Sequence, residues 1–303
     1  MSNSSQSSGE LRRIKIPFLL DIIIVSGAEQ IKKFEASGVF DRLHYSNTLD
    51  LPWLLRIYYA STKFYDEKRD LWFCPFESIT NPTYQPRRNY LQEKVDLGYT
   101  PEDVKKIAEL LENNAEDEEI AFAMVQIVNQ RFFAGEEIPS SIIKTANNTV
   151  KKYTEAFSIS NYARGITSQR KVIEYCDRHL SEGVHPVDVG HNIGETVQAA
   201  PAVFKILKAN LDRPVAETFT IYPIATRVPR IAVKSSNLDG LLAEPTKPGK
   251  TLAILKIGEA ARETKEILFA FGTGSEDRVC VFKDFFLNFM EDLRQELKRT
   301  IEN

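Results

Sequence analysis

Two textures of apolar and polar positions follow one another along this chain. Between Ile14 and Val25 the sequence is dense in Ile, Leu, Val and Phe, which predicts one or two short strands. A helix is predicted at Ala28–Ala36, closed by the Ser37-Gly38 stop signal. An aromatic segment, Trp53 to Phe76, comes next, and Asn81-Pro82 marks a turn. The middle of the chain reads as helix. Thr100-Pro101-Glu102-Asp103 is a start signal: a capping threonine, proline at the first helical position, then acids in the first turn. Val104, Ile107, Leu110 and Leu111 put the apolar residues of that helix on one face. The acids of Glu116 to Glu119 open a second helix that runs through Phe133 and stops at Gly135. Further helices are predicted over Ile142 to Phe157, Ser168 to Leu180 and Val187 to Lys208.

From Ile231 the texture changes. Short apolar runs, Ile231 to Val233 and Leu252 to Ile257, alternate with turn residues such as Lys247-Pro248-Gly249-Lys250 and predict sheet strands. The final helix, Asp284 to Ile301, repeats apolar residues at Phe285, Phe286, Phe289, Met290 and Leu293. The expected fold is mainly α with a small β-sheet, one domain over residues 13–303 behind a disordered tail of residues 1–12.

Composition narrows the class. With 43% hydrophobic and 27% charged residues the chain is globular, and its 303 residues suffice for a real core. A formal charge of −3 argues against nucleic-acid binding, which needs a concentrated basic face. The longest apolar stretch near the start, Ile16 to Val25, is interrupted by Pro17 and Asp21, so no transmembrane anchor is expected. The N-terminal MSNSSQSSGE has no basic n-region, so no secretion signal is read there. Cys74, Cys176 and Cys280 are odd in number and far apart, form no CxxC pair, and point to a reducing cytoplasm.

Candidate chemistry begins just before the last helix, at Phe271-Gly272-Thr273-Gly274-Ser275-Glu276-Asp277-Arg278-Val279-Cys280. A thiolate that must face a metal from a rigid loop needs glycines for the turn and the N-terminus of a following helix for its charge. Read alone, the segment equally describes a buried free cysteine. Its Phe, Gly, Arg and Cys resemble the haem-binding signature of the cytochrome P450 family, with Phe282 where the family has a glycine. Other segments resemble that family in the same order. Asp21 to Val25 and Ala28 to Arg42 are similar to its first strands and B helix. Tyr84 and Arg88 stand where a His and an Arg meet the haem propionates. Glu217 and Pro223 match the K-helix region, in which Thr220 replaces an arginine. Val228-Pro229-Arg230 resembles the strand with a propionate-binding arginine.

The resemblance implies a shortened haem-thiolate domain that binds haem b, with Cys280 as iron ligand and Tyr84, Arg88, Arg230, Phe271, Gly274 and Arg278 around the cofactor. It also implies a small apolar substrate and, for oxygen chemistry, a ferredoxin- or flavodoxin-type electron donor. Asn192-Ile193-Gly194-Glu195-Thr196 aligns with the family's oxygen-handling helix. Glu195 and Thr196 match an acid-alcohol proton relay. Ile193 is expected to crowd the groove, and Asn192 to bring an amide toward the iron, as in family members that rearrange peroxides without electrons. Pro201 is expected to break the helix. His185 and His191, six apart, do not share a helical face as metal ligands, and His191 is read as a polar contact. The implied activities are monooxygenation, a partner-free reaction on a peroxide or an isomerisation, and a non-catalytic binding role.

Overall fold

A computed structural model describes residues 10–16, 20–41, 64–66, 71–73, 82–154, 159–273 and 279–302. Its strands are β1 (Leu11–Ile16), β2 (Leu20–Val25), β3 (Phe40–Asp41), β4 (Phe64–Asp66), β5 (Leu71–Phe73), β6 (Val228–Ala232) and β7 (Thr251–Leu255). The early helices are α1 (Ala28–Ala36), α2 (Tyr84–Val95), α3 (Pro101–Glu112), α4 (Asp117–Asn129) and α5 (Ser140–Thr154). After them come α6 (Ile159–His179), α7 (Pro186–Lys208), α8 (Val215–Ile221), α9 (Ile257–Thr264) and α10 (Lys283–Glu302). The mainly helical class with a small sheet is as expected. Strand β1 begins at Leu11, inside the stretch read as tail.

The chain divides into two compact units, each interleaved in sequence with the other. The β-rich unit draws on Met1–Ala60 and Ala216–Cys280. Its sheet has the order β1-β2-β7-β6-β3, with β2 and β7 parallel and every other pair antiparallel. Register is held by a polar clamp. Arg13 on β1 donates from Nε to Asp21 Oδ1 at 2.8 Å and from a terminal nitrogen to Oδ2 at 2.5 Å, and Thr251 Oγ1 of β7 donates to the same Oδ2 at 2.8 Å. Asp21, which reads in the sequence as an interruption of an apolar run, is the knot that ties three strands. Beneath the sheet, α1 buries Ala28, Ile31 and Phe34 with Ile23, Val25, Ala253 and Leu255, and Phe34 stacks on Phe40 at 5.2 Å. Full burial of each Ile, Leu or Phe contributes roughly 1.5–3 kcal/mol.

One prediction fails in this unit. The strand read to Ile257 ends at Leu255, and the residues from Ile257, for which no helix is predicted, do not continue it. They fold as α9 and a 3-10 turn, Ile267–Ala270. Gly258 permits this: a Cβ there would stand 3.0 Å from Thr226 Cα and 3.2 Å from Pro223 Cγ. Ile257, Ala260 and Ala261 give α9 an apolar face one turn wide, too short to announce a helix by periodicity.

The α-rich unit draws on Ser61–Pro75, Thr83–Val215 and Val281–Asn303. Its core gathers Val125 of α4, Ile143 and Ala146 of α5, Val172 and Cys176 of α6, and Val189, Ile193 and Val197 of α7. Helix α6 packs close to α7 at Gly190, where a Cβ would stand 3.3 Å from Val172 Cγ1. Helix α3 starts as predicted, with Thr100 and Asp103 forming a reciprocal capping box. Tyr99 meets Phe285 and Phe289 of α10 edge-on, and its hydroxyl donates to Asp292 Oδ2 at 2.7 Å. Pro201 does not end α7, which continues through it to Lys208. No described helix is long and apolar enough to cross a membrane.

Candidate functional site

The described residues on either side of positions 274–278 are tied together. The Cys280 N–H donates to the carbonyl of Phe271 at 2.9 Å, pinning the two ends of a ten-residue stretch. Phe271 is half-buried and Val279 buried. Gly274 and Arg278 lie outside the described residues, as do Cys74 and Trp53, while β5 carries the backbone of Trp72 and Phe73. Thr273 is buried and its Oγ1 has no hydrogen-bond partner among the described residues. The thiol of Cys280 is exposed. Of the two described cysteines Cys176 is the buried one, 0% exposed, and its thiol pKa is pushed up by burial. Three residues past Cys280 the helix α10 begins. Phe282, at the position that is glycine in the resembled family, packs against the core of the α-rich unit.

The predicted arginines differ in what already holds them. Arg230 on β6 is 5% exposed; its Nε donates to Glu35 Oε1 of α1 at 2.8 Å, and a terminal nitrogen donates to the Pro229 carbonyl. Part of that guanidinium is therefore committed to joining β6 to α1. On α2, Arg87 forms a forked pair with Asp188 in the first turn of α7, at 2.5 and 3.0 Å. The adjacent Arg88 is half-buried and makes no hydrogen bond or ion pair among the described residues. Tyr84 opens α2, one turn before Arg88 and on the same face. Thr220, where the resembled family has an arginine, is buried and donates to the Glu217 carbonyl within its own helix, while Glu217 is exposed.

On α7, helical geometry sorts the Asn192-Ile193-Gly194-Glu195-Thr196 run. Val189, Ile193 and Val197 recur every turn and form the core stripe. Ile193, expected in a groove, is fully buried there, because a residue one turn from two core valines must share their face. Off that stripe lie two one-turn pairs, His191 with Glu195 and Asn192 with Thr196. His191 Nε2 sits 2.8 Å from Glu195 Oε1. Glu195 is 57% exposed on its side chain, and its surroundings desolvate it, which alone would raise its pKa. The charge and hydrogen bond of His191 outweigh this and hold the carboxyl below the usual range. Thr196 is half-buried and its hydroxyl has no partner among the described residues. The Nδ2 of Asn192 donates to Asn129 Oδ1 at 2.7 Å, and Asn129 Nδ2 donates to the Val125 carbonyl at 3.1 Å. Asn129, fully buried at the end of α4, was not singled out from the sequence. The segment Ile120 to Phe133 carries three amides, Gln126, Asn129 and Gln130, and nothing local singles out Asn129 among them.

No protein-family model and no curated protein matches the sequence. The fold, by contrast, has clear counterparts. Cytochrome P450SP alpha is 14% identical, with a TM-score of 0.58 over 95% of this chain and 84% of its own. Cytochrome P450 260B1 of Sorangium cellulosum So Ce56 is 13% identical, with a TM-score of 0.58 over 91% of this chain and 80% of its own. A zebra fish cytochrome P450 is 12% identical, with a TM-score of 0.59 over 94% of this chain and 87% of its own. The chain has the cytochrome P450 fold. That fold implies a haem iron, and each unit separately carries side chains of the kind one takes. In the β-rich unit these are an exposed cysteine whose N–H is tied to Phe271 and a buried Thr273 hydroxyl without a hydrogen-bond partner among the described residues. In the α-rich unit it is a half-buried Arg88 without an ion pair among the described residues.

Proposed function

We propose that the chain is a haem-thiolate oxidoreductase with Cys280 as the iron ligand. The observation that carries this reading is a cytochrome P450 fold in which the cysteine before the last helix is exposed and its loop is pinned by Phe271. A thiolate-ligated haem supplies cleavage of an O–O bond, in oxygen or in a peroxide. Arg88, with Tyr84 one turn away, is assigned to a haem propionate, because a half-buried cation without a partner among the described residues favours an anion. Arg230 and Arg278 are assigned to the other propionate side, and Phe271 and Gly274 to shaping the ligand loop.

The first reading of the reaction is monooxygenase-type, on a small apolar substrate and fed by a ferredoxin- or flavodoxin-type donor. Its support is on α7. Glu195, held ionised by His191, can accept a proton, and the free Thr196 hydroxyl can pass one. A second reading, conversion of a peroxide without a redox partner, is favoured by Asn192, whose amide is held in one orientation by Asn129.

The test is the absorption spectrum of the haem-reconstituted protein, reduced and exposed to carbon monoxide, beside Cys280→Ser. A red-shifted Soret band that the substitution abolishes supports thiolate ligation. Turnover with a hydroperoxide alone, against turnover only with reductant and oxygen, then separates the two reactions. Failure to retain haem sinks the enzyme reading and favours a non-catalytic binding role, and an unchanged mutant spectrum removes Cys280 as the iron ligand.

A further inference from the structure

The buried amide of Asn129 has no part in the proton path described above, yet it is joined to the wall that carries that path. The direction of the chain it forms is set from its inner end. The Val125 carbonyl can only accept, so Asn129 must turn its Nδ2 toward it, at 3.1 Å. Its Oδ1 then faces α7, and Asn192 has to answer with Nδ2, at 2.7 Å. Turning the Asn192 amide over would set one carbonyl oxygen against another with no donor between them, an arrangement that buried amides avoid. Asn192 is half-buried and its Oδ1 has no partner among the described residues. The amino end of Asn192 is thus tied inward, and its carbonyl end is left to accept.

We infer that Asn129 is a positioning residue that fixes Asn192 as a hydrogen-bond acceptor, so that this site selects ligands presenting an O–H donor, an alcohol or a hydroperoxide, over carbonyl compounds of the same shape. The inference rests on the proposed haem-thiolate reading, in which α7 lines the reaction site. Asn192 touches the ligand in this scheme. Asn129 acts only through Asn192.

The test uses the full chain, with the haem content of every sample recorded. Nitrogen-15 labelling of asparagine side chains reads the pair whether or not haem is bound. The Asn192 amide signal stands apart from that of free amides in the wild type and moves to the free value in Asn129→Leu. Cyclohexanol and cyclohexanone, alike in shape and opposite in polarity, are then titrated by calorimetry. Cyclohexanol is expected to bind about fivefold more tightly, the worth of one net hydrogen bond. Asn129→Leu removes this preference. Asn129→Ser restores most of it, because a serine hydroxyl donates to the carbonyl one turn back while accepting from Asn192. A general loss of structure would weaken both ligands together and leave their ratio unchanged. Equal affinities in the wild type, no binding of cyclohexanol, or a preference that survives Asn129→Leu would overturn the inference. Protein that takes up no haem but keeps the preference defeats the enzyme reading alone, and haem-loaded protein without the preference defeats this inference alone.

Discussion

His191 and Glu195 stand one turn apart on α7, with Nε2 2.8 Å from Oε1, and this contact sets the charge of the carboxylate in the proposed proton path. Three influences act on Glu195. Desolvation raises its pKa, while the charge of His191 and the hydrogen bond from it lower it. Removing the imidazole removes both lowering influences, so the Glu195 pKa rises in His191→Leu. In the wild type it is expected below the usual carboxylate value of about 4.3, and in His191→Leu clearly higher than in the wild type. Carbon-13 NMR titration of the labelled glutamates measures both, and an unmoved Glu195 would refute the coupling. The linkage sign follows from the lowered wild-type value. Its stabilisation is complete above the unfolded carboxylate pKa and is lost as pH falls through the folded one. With the carboxylate more than half exposed, the amount is small, about 0.3–0.5 kcal/mol.

Neighbouring arginines on α2 are predicted to behave in opposite ways. Arg87 is paired with the partly buried Asp188, and Arg87→Ala strands that carboxylate, so a loss of about 3 kcal/mol in denaturant unfolding is expected. Arg88 has no partner to strand among the described residues. Arg88→Ala is expected to change stability by less than about 0.5 kcal/mol while haem retention falls. A full haem load in Arg88→Ala would remove this residue from the cofactor site.

These two arginines also mark how far the sequence could be read. Signals carried within a few residues were legible: Thr100 and Asp103 cap α3, and Ser37-Gly38 ends α1, because each partner is a near neighbour in the chain. Contacts made across the fold were not. Nothing local distinguishes Arg87 from Arg88, since Asp188 lies 101 residues away, and Asn129 is paired with an amide 63 residues away. Ile193 was misplaced because the five-residue run was read by alignment with a family segment, whereas its spacing from Val189 and Val197 put it on the core face. Helix α9 was missed because small residues at close contacts leave little hydrophobic periodicity.

That close contact yields a stability prediction whose sign depends on magnitude. Gly258→Ala gains about 1 kcal/mol of helix propensity in α9. Against this, the new Cβ would stand 3.0 Å from the backbone Cα of Thr226, which cannot rotate away. Overpacking of this kind costs about 1–3 kcal/mol. The clash is expected to win, with a lower melting temperature for Gly258→Ala. An unchanged or raised melting temperature would mean that the segment after α8 yields easily.

The exposed and buried cysteines allow a test of the ligand that does not depend on turnover. A thiol reagent reaches a cysteine only if solvent does, and it reacts with the thiolate. Cys280 is exposed, whereas Cys176 is sealed in the α-rich core and its thiol is held protonated by burial. In haem-free protein, brief alkylation is expected to label Cys280 and leave Cys176 unlabelled until denaturant is added, as read by peptide mass spectrometry. Loading with haem should then suppress labelling at Cys280, because the sulfur that binds iron is no longer free to attack. Labelling of Cys280 at the same rate with and without bound haem would show that the cofactor is held some other way. Retention of haem by Cys280→Ser, with an unchanged spectrum, would lead to the same conclusion independently.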